Sequence, residues 1–374
     1  MKIAFITNLR APYRTLQLNE FSRIKNLSLT VFYTDKPKEN RVWEVNKPVG
    51  YREVDLIGIK ILRRFGYINK GLVDIVKTHD ILILGGYEKP TYIALSLLCK
   101  QYKKPYILLF DGISANRLQE RESLYKWYIK NLVVKNAEYI MGNGQVSSKY
   151  FSEVFSYPET KIYNQYLTVD TEKIKKLYKD KEYYRTHLRD QLGIRPNEKV
   201  LLYSGRLIDI KNVETVIRAI STIKTESISF LIVGGGKLEA DLKKIAEELN
   251  VKVIITGFLS NQEDVFKHYF VGDVLILPSI VEPWGLVVNE ALAAGMPVIV
   301  SKYCGCVYDL VHHNQNGYIV DPLNIKEIAK YIENIMFLNN RSTFSKKSRE
   351  IANAWTFQNS RKSLEHIIGN LNNK

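Results

Sequence analysis

The stretch Leu275–Val300, LILPSIVEPWGLVVNEALAAGMPVIV, constrains the fold more than any other part of the chain. Leu275-Ile276-Leu277 is a short apolar run closed by Pro278-Ser279, the pattern of a buried strand. Helix formers follow Gly285 and stop at Gly295, a natural C-terminal cap, and Val298–Val300 then reads as the next buried strand. Strand, loop, helix and strand make the repeating unit of a parallel α/β sheet, whose ligands collect at the carboxyl ends of the strands. Two carboxylates stand eight residues apart, Glu282 in the loop and Glu290 on the helix. Between them, the backbone N–H groups of Gly285, Leu286 and Val287 open the helix. A helix start offers an anion these donors and the positive end of the dipole. A phosphate seated there, with one carboxylate on either side for sugar hydroxyls, describes a nucleotide-sugar site.

The run EPWGLVVNEALAAGMPV resembles the Glu-x7-Glu signature of the retaining glycosyltransferases of family 4, the glycosyl transferases of group 1. Pro283, Gly285, Glu290-Ala291, Gly295 and Pro297 fall in register with that signature, so the likeness does not rest on two carboxylates alone. The resemblance implies an α/β protein of the GT-B fold, with two facing Rossmann-like domains and the substrates in the cleft between them. It places an acceptor domain at 1–175 and a nucleotide-sugar donor domain at 196–355. A closing helix at 356–374 is expected to cross back onto the first domain.

A chain of 374 residues suits two domains, each able to bury its own core. Apolar content of 45% against 25% charged residues excludes a disordered chain. No apolar run reaches the roughly 18 residues of a spanning helix, and MKIAFITNLRAPYR reads as a first strand rather than a signal peptide. Cys99, Cys304 and Cys306 are odd in number and lack metal spacing, which fits a reducing cytoplasm. The net charge of +15 falls mostly in residues 1–170. It suits an anionic partner, such as a membrane surface, a lipid phosphate or nucleic acid, or else a plain solvated lysine-rich face.

In the second half, Val200–Tyr203 reads as a strand closed by Ser204-Gly205, followed by GRLIDIKN with Arg206 and Lys211 five apart. This is similar to the family's Gly-Arg-Leu…Lys element, which implies that Arg206 and Lys211 clamp the donor diphosphate. A leaving diphosphate gains negative charge as the glycosidic bond breaks, and fixed cations stabilise it. Gly234-Gly235-Gly236-Lys237 lacks phosphate-loop spacing and resembles the family's Gly-rich turn. Gly205 and the backbone at Phe258 join the donor set by the same resemblance. Ser301–Val311 matches the family's Gly-Gly-x-x-Glu turn only at Gly305, with Cys306 and Asp309 standing in for the other two positions.

On the acceptor side, Lys2–Thr7 reads as a central strand, and a helix is expected from about Thr15 to Ile24 with Leu16, Phe21 and Ile24 inward. Pro12, Tyr13 and Arg14 then fall in a strand-end loop, resembling a Pro-Tyr-Arg variant of polysaccharide-building relatives. The segment from about 37 to 67 reads as irregular, basic and aromatic. Where relatives place a His-Asp pair after the strand Tyr106–Phe110, this chain has Phe110 and Asp111, so Asp111 alone is carried over. Leu124, Trp127, Tyr128 and Leu132 share one helical face, with Lys126, Lys130 and Lys135 off it. Such a face packs on a sheet or lies on anionic lipid.

These readings imply a metal-independent, cofactor-free transferase working with retention by same-face attack. Arg206, Lys211 and Glu282 form its catalytic set, while Glu282 holds sugar hydroxyls and Glu290 holds the ribose. The donor is expected to be a UDP-sugar before a GDP-sugar, and the acceptor a saccharide or a polyprenyl-diphosphate-linked saccharide. The implied setting is polysaccharide or glycoconjugate synthesis, in the cytoplasm or peripheral on the inner membrane face. A GT-B epimerase of nucleotide sugars and a non-catalytic sugar or lipid binder remain as alternatives. No nucleic-acid recognition motif or stacking platform appears, so no nucleic-acid partner is expected.

Overall fold

The computed structural model describes residues 1–8, 10–35, 48–60, 67–224, 228–337 and 341–373. The chain divides into two units: residues 1–113, 117–167 and 356–374 form the first, and 114–116 with 168–355 form the second.

The first unit holds strands β1 (Lys2–Thr7), β2 (Ser28–Tyr33), β3 (Arg52–Asp55), β4 (Gly58–Lys60), β5 (Tyr67–Asn69), β6 (Ile81–Leu84), β7 (Tyr106–Leu109), β8 (Tyr139–Gly142) and β9 (Ile162–Asn164). Among the described residues, seven of them pair in parallel in the order β3-β2-β1-β6-β7-β8-β9, and β4 and β5 form a small antiparallel hairpin. The inner strands are apolar throughout because helices cover both faces, as the run ILIL of β6 illustrates with every residue buried. The helix Phe357–Asn372 brings Leu364, Ile367 and Ile368 against Leu18, Phe21 and the sheet, so the chain's last helix completes this unit's core.

The second unit holds β10 (Lys199–Ser204), β11 (Ile228–Val233), β12 (Val253–Ile255), β13 (Val274–Leu277), β14 (Val298–Ser301) and β15 (Gly317–Val320), all parallel in the order β12-β11-β10-β13-β14-β15. The order runs outward from β10 in one direction and then from β13 in the other. This is the doubly wound Rossmann arrangement, and its ligand crevice opens where the direction reverses. In this unit the reversal lies between β10 and β13; in the first unit it lies between β1 and β6.

Three local expectations are corrected. The first helix runs Pro12–Phe21, starting three residues early because proline is pre-set for a first helical position; Leu18 is buried and Leu16 only partly so. The segment read as irregular contains β3 and β4 and ends where β5 begins, while 36–47 and 61–66 lie outside the described residues. The helix Leu124–Asn136 buries Val133 and Val134, and Trp127 turns in to stack on Phe155, yet Leu124, Tyr125 and Tyr128 stay exposed. The C-terminal half of this helix is the better covered, with Ser96 and the Tyr106 hydroxyl bonding the carbonyls of Leu132 and Val133.

Candidate functional site

Four strand ends of the second unit converge around its reversal point. Past β10 the chain turns through Gly205 and Arg206, past β11 through Gly234–Gly236, past β12 through Gly257 and Phe258, and past β13 into the loop carrying Glu282. The first two turns are pressed together. Gly205 N–H donates to the Val233 carbonyl and Leu207 N–H to that of Gly235, both at 3.0 Å. At Gly234 (φ +135°) a Cβ would lie 2.1 Å from the Gly205 carbonyl oxygen, so only glycine fits. The Tyr203 hydroxyl donates to the Arg206 carbonyl at 2.9 Å and fixes this loop, leaving the Arg206 side chain exposed. Gly205, Arg206, Gly234, Gly235, Phe258 and Leu259 line a cavity of about 180 Å³, and the Phe258 ring stands 74% exposed at it.

Lys211 is delivered to the same region by a short 3₁₀ turn, Asp209–Lys211. Asn212 follows in the left-handed conformation (φ 54°), and its amide donates to the carbonyls of Pro322 at 2.7 Å and Pro278 at 3.3 Å. Ile280 N–H donates to the Ile210 carbonyl at 2.9 Å. The loop is thereby tied to the end of β13, and Lys211 Nζ forms a close ion pair with Glu282 Oε2. The Glu282 loop is braced in turn by the partly matching turn after β14. Gly305 N–H donates to the Glu282 carbonyl at 2.9 Å, and Cys306 N–H to that of Trp284 at 3.2 Å.

Gly285 (φ +98°) caps the helix Leu286–Ala293; a Cβ there would sit 2.9 Å from the Leu277 side chain. Leu286 and Val287 occupy the first helical positions, where N–H groups lack an intrahelical acceptor, and Val288 makes the first bond back, to Gly285 at 2.9 Å. One turn on, the Glu290 carboxylate accepts the buried Tyr269 hydroxyl at 2.5 Å. The residue is half-buried overall, but the carboxylate faces inward. Desolvation pushes its pKa up to about 7, against the opposing pull of Tyr269. Burial and the neighbouring Glu290 carboxylate hold the Tyr269 hydroxyl well above its ordinary pKa, so it stays a donor.

In the first unit the acceptor-side residues also meet. Pro12, Tyr13 and Arg14 form the first turn of a helix rather than a loop, and Asp111 follows β7. Arg14 is buried and donates to Asp111 and to Gln17 in close contacts, and Tyr13 Oη donates to Asp111 Oδ2 at 3.3 Å. Phe110 stacks flat on Tyr87, with centroids 4.7 Å apart, at the position where the family resemblance implies a histidine. Sequence reasoning missed Tyr269, Asn212, Gln17 and Gln165. Asn212 closes the GRLIDIKN stretch without being singled out in it, and the other three belong to no motif; each is recognisable only by the partner it holds. Cys304 and Cys306 are buried, and among the described residues no three His, Cys, Asp or Glu side chains gather as metal ligands would.

Residues 184–353, which span the whole of this strand-end constellation, match the family model described as glycosyl transferases group 1. Over those residues the chain is similar to the glycosyl transferases of group 1. An uncharacterized glycosyltransferase of Methanocaldococcus jannaschii is 34% identical over 155 residues, covering 41% of this chain and 39% of that protein. The alpha-D-kanosaminyltransferase of Streptomyces kanamyceticus is 31% identical over 161 residues, covering 42% and 41%. The matched stretch thus spans about two fifths of the length of these curated relatives. Among solved structures, Anabaena Alr3699/HepE in complex with UDP superposes with a TM-score of 0.77 at 17% identity, covering 99% of this chain and all of that one. That likeness shows the fold, the GT-B fold of two Rossmann-like units.

Proposed function

We propose that the protein transfers a sugar from a nucleotide diphosphate sugar to a saccharide or lipid-linked saccharide, with retention at the anomeric carbon. The observation that carries this reading is the Lys211–Glu282 pair set at the start of the helix that bears Glu290, beside the Arg206 and Phe258 cavity. Arg206 and Lys211 meet the diphosphate together with the Leu286 and Val287 N–H groups. As the leaving group departs, these fixed charges stabilise it without a metal ion. Phe258 offers a ring face to the base. Glu290 accepts from the ribose, and Glu282, released from Lys211 as the diphosphate arrives, accepts from the sugar. With no nucleophile assigned, the acceptor attacks from the leaving-group face and passes its proton to the departing phosphate oxygen. A UDP-sugar is the favoured donor, and the UDP held by the similar Anabaena structure supports that choice.

The acceptor is assigned to the first unit, around Tyr13 and the exposed side of Asp111. Leu124, Tyr125 and Tyr128 lie exposed beside Lys126, which favours a peripheral contact with anionic lipid. Among the described residues no helix is long and apolar enough to cross a membrane. The deciding experiment is calorimetric titration of UDP, GDP and ADP, without metal, into wild type and Glu290→Ala. Tight binding of one nucleotide, at least tenfold weaker in the variant, is expected. Failure of all three to bind, or equal binding by the variant, would overturn the donor site.

A further inference from the structure

We infer that the second unit carries an anion-binding cavity for a phosphate-bearing small molecule, distinct from the strand-end donor site. The cavity, about 530 Å³, opens at the other end of the sheet, against Gly272-Asp273 ahead of β13 and Met296-Pro297 ahead of β14. Four buried residues of β13 at roughly 3.3 Å each separate it from the Glu282 loop by about 13 Å.

Its lining is cationic. Lys181 and Arg185 come from the helix Lys181–Gln191, and Arg341 and Arg349 from the helix Arg341–Ala354; Glu182 and Asp273 are the acids that face them. Asp273, only 2% exposed, is shared by three guanidinium groups: Arg185 at 2.7 Å, Arg189 at 3.2 Å and Arg341 at 2.5 Å. One buried carboxylate cannot neutralise three cations. Burial first, and then the adjacent Arg185, lower the Arg189 pKa against the pull of Asp273. Lys181 and Arg349 crowd a single ring, Tyr178, at 4.6 and 5.4 Å from its centroid, and both donate to its hydroxyl at 3.1 Å. Like charges are held together here with too few counter-charges, and a dianion in the cavity relieves them.

Phosphate suits the lining better than a monoanion. Arginine forks match its oxygens in pairs, and the hydroxyls of Ser342 and Ser345 lie on the first turns of a 14-residue helix, the end that favours anions. The volume exceeds that of a bare ion and lies in the range of small-molecule sites. Two local details show a built wall. Gly295 (φ +73°) leaves room for Arg349, whose Nη1 would lie 2.7 Å from a Cβ there, and the Ser348 hydroxyl donates to the Met296 carbonyl at 3.0 Å. Tyr269 is shared, since it lines this cavity while its hydroxyl holds Glu290.

The test is titration of inorganic phosphate, and in parallel of glycerol phosphate, into the full chain at fixed ionic strength, read by calorimetry and thermal unfolding. Phosphate is expected to bind and to raise Tm above an equal ionic strength of chloride; tighter binding of glycerol phosphate would assign the rest of the cavity to an organic phosphomonoester. Arg349→Gln should weaken binding at least tenfold. Ser345→Asp, which puts a carboxylate in the cavity without removing an arginine, should abolish the response. Lys211→Ala should leave it intact. The inference fails if phosphate stabilises no more than chloride does. It also fails if both cavity variants bind like wild type, or if Lys211→Ala removes the binding, which would place it at the donor site.

Discussion

Both units place a cation against a carboxylate beyond the ends of their parallel strands, but they hold the two pairs differently. In the first unit Arg14 is 4% exposed; besides Asp111 it binds Gln17, and its guanidinium lies 5.6 Å from the ring centres of both Phe5 and Tyr13. Gln17 continues the network to Gln165 and to Ser360 on the closing helix. In the second unit the Lys211 and Glu282 side chains are 15% and 13% exposed; the Ser279 hydroxyl donates to the carboxylate at 3.5 Å, and the Glu282 N–H donates to the Ser114 hydroxyl at 3.1 Å. A buried guanidinium fork held on several sides is part of the scaffold. An ammonium on a flexible stem, held by one carboxylate, can turn to a phosphate at little cost. The pair with fewer neighbours is the one suited to chemistry.

Removing each cation separates the two roles. Lys211→Ala is expected to lower nucleotide-sugar turnover by about 100- to 1,000-fold, the usual effect of deleting one group that stabilises developing negative charge. Its unfolding midpoint should fall only modestly, because Glu282 retains some access to water and the Ser279 hydroxyl when Lys211 is removed. Release of UDP from the nucleotide sugar that binds measures the first, and a thermal melt the second. Turnover within threefold of wild type would take Lys211 out of the site.

Arg14→Ala should do the reverse. It strands Asp111 and Gln17 and is expected to destabilise the first unit by about 2–3 kcal/mol, below the usual penalty for breaking a buried pair because Asp111 is 44% exposed. Burial opposes the guanidinium's charge, and Asp111 more than offsets it, leaving Arg14 above its ordinary pKa and charged at all working pH. Denaturant unfolding should show the loss while nucleotide affinity stays within twofold. Unchanged stability with weakened nucleotide binding would invert the comparison.

The same contrast explains what the sequence discloses. Leu275–Val300 is legible because strand, capping glycine, helix and strand are each set by local chemistry, and the structure places them at Val274–Leu277, Gly285, Leu286–Ala293 and Val298–Ser301. The helix at Pro12 is misplaced because Pro, Tyr and Arg signal a loop as readily as a first turn. The face of Leu124, Trp127, Tyr128 and Leu132 is read only as packed on a sheet or laid on lipid, because periodicity marks a face without saying what covers it; the structure leaves Leu124 and Tyr128 exposed. The burial of Arg14 and the Tyr269–Glu290 contact join residues 97 and 21 positions apart, and no local pattern encodes them.

The smallest predicted effect separates the two carboxylates of the signature itself. Glu282 faces a lysine, whereas Glu290 faces a tyrosine hydroxyl, and desolvation lifts Glu290 from 4.5 to about 7. Because the folded value lies above the unfolded one, Glu290 contributes stability that is whole below about pH 4.5 and is lost as pH rises through about 7. In the proposed donor site ligand binding runs the other way, since ribose hydroxyls would donate to the ionised form. Affinity for an intact nucleotide sugar, whose diphosphate does not titrate in this range, should therefore rise roughly tenfold from pH 6 to pH 8. Glu290→Gln should bind more weakly at pH 8 and flatten the profile, while Glu282→Gln should leave the slope in place. Calorimetry in two buffers of different ionisation enthalpy would register the proton released on binding near pH 7. A flat wild-type profile with no proton release would mean that the carboxylate does not ionise to meet the ribose, and Glu290 would become a structural partner of Tyr269 in the way that Asp111 is of Arg14.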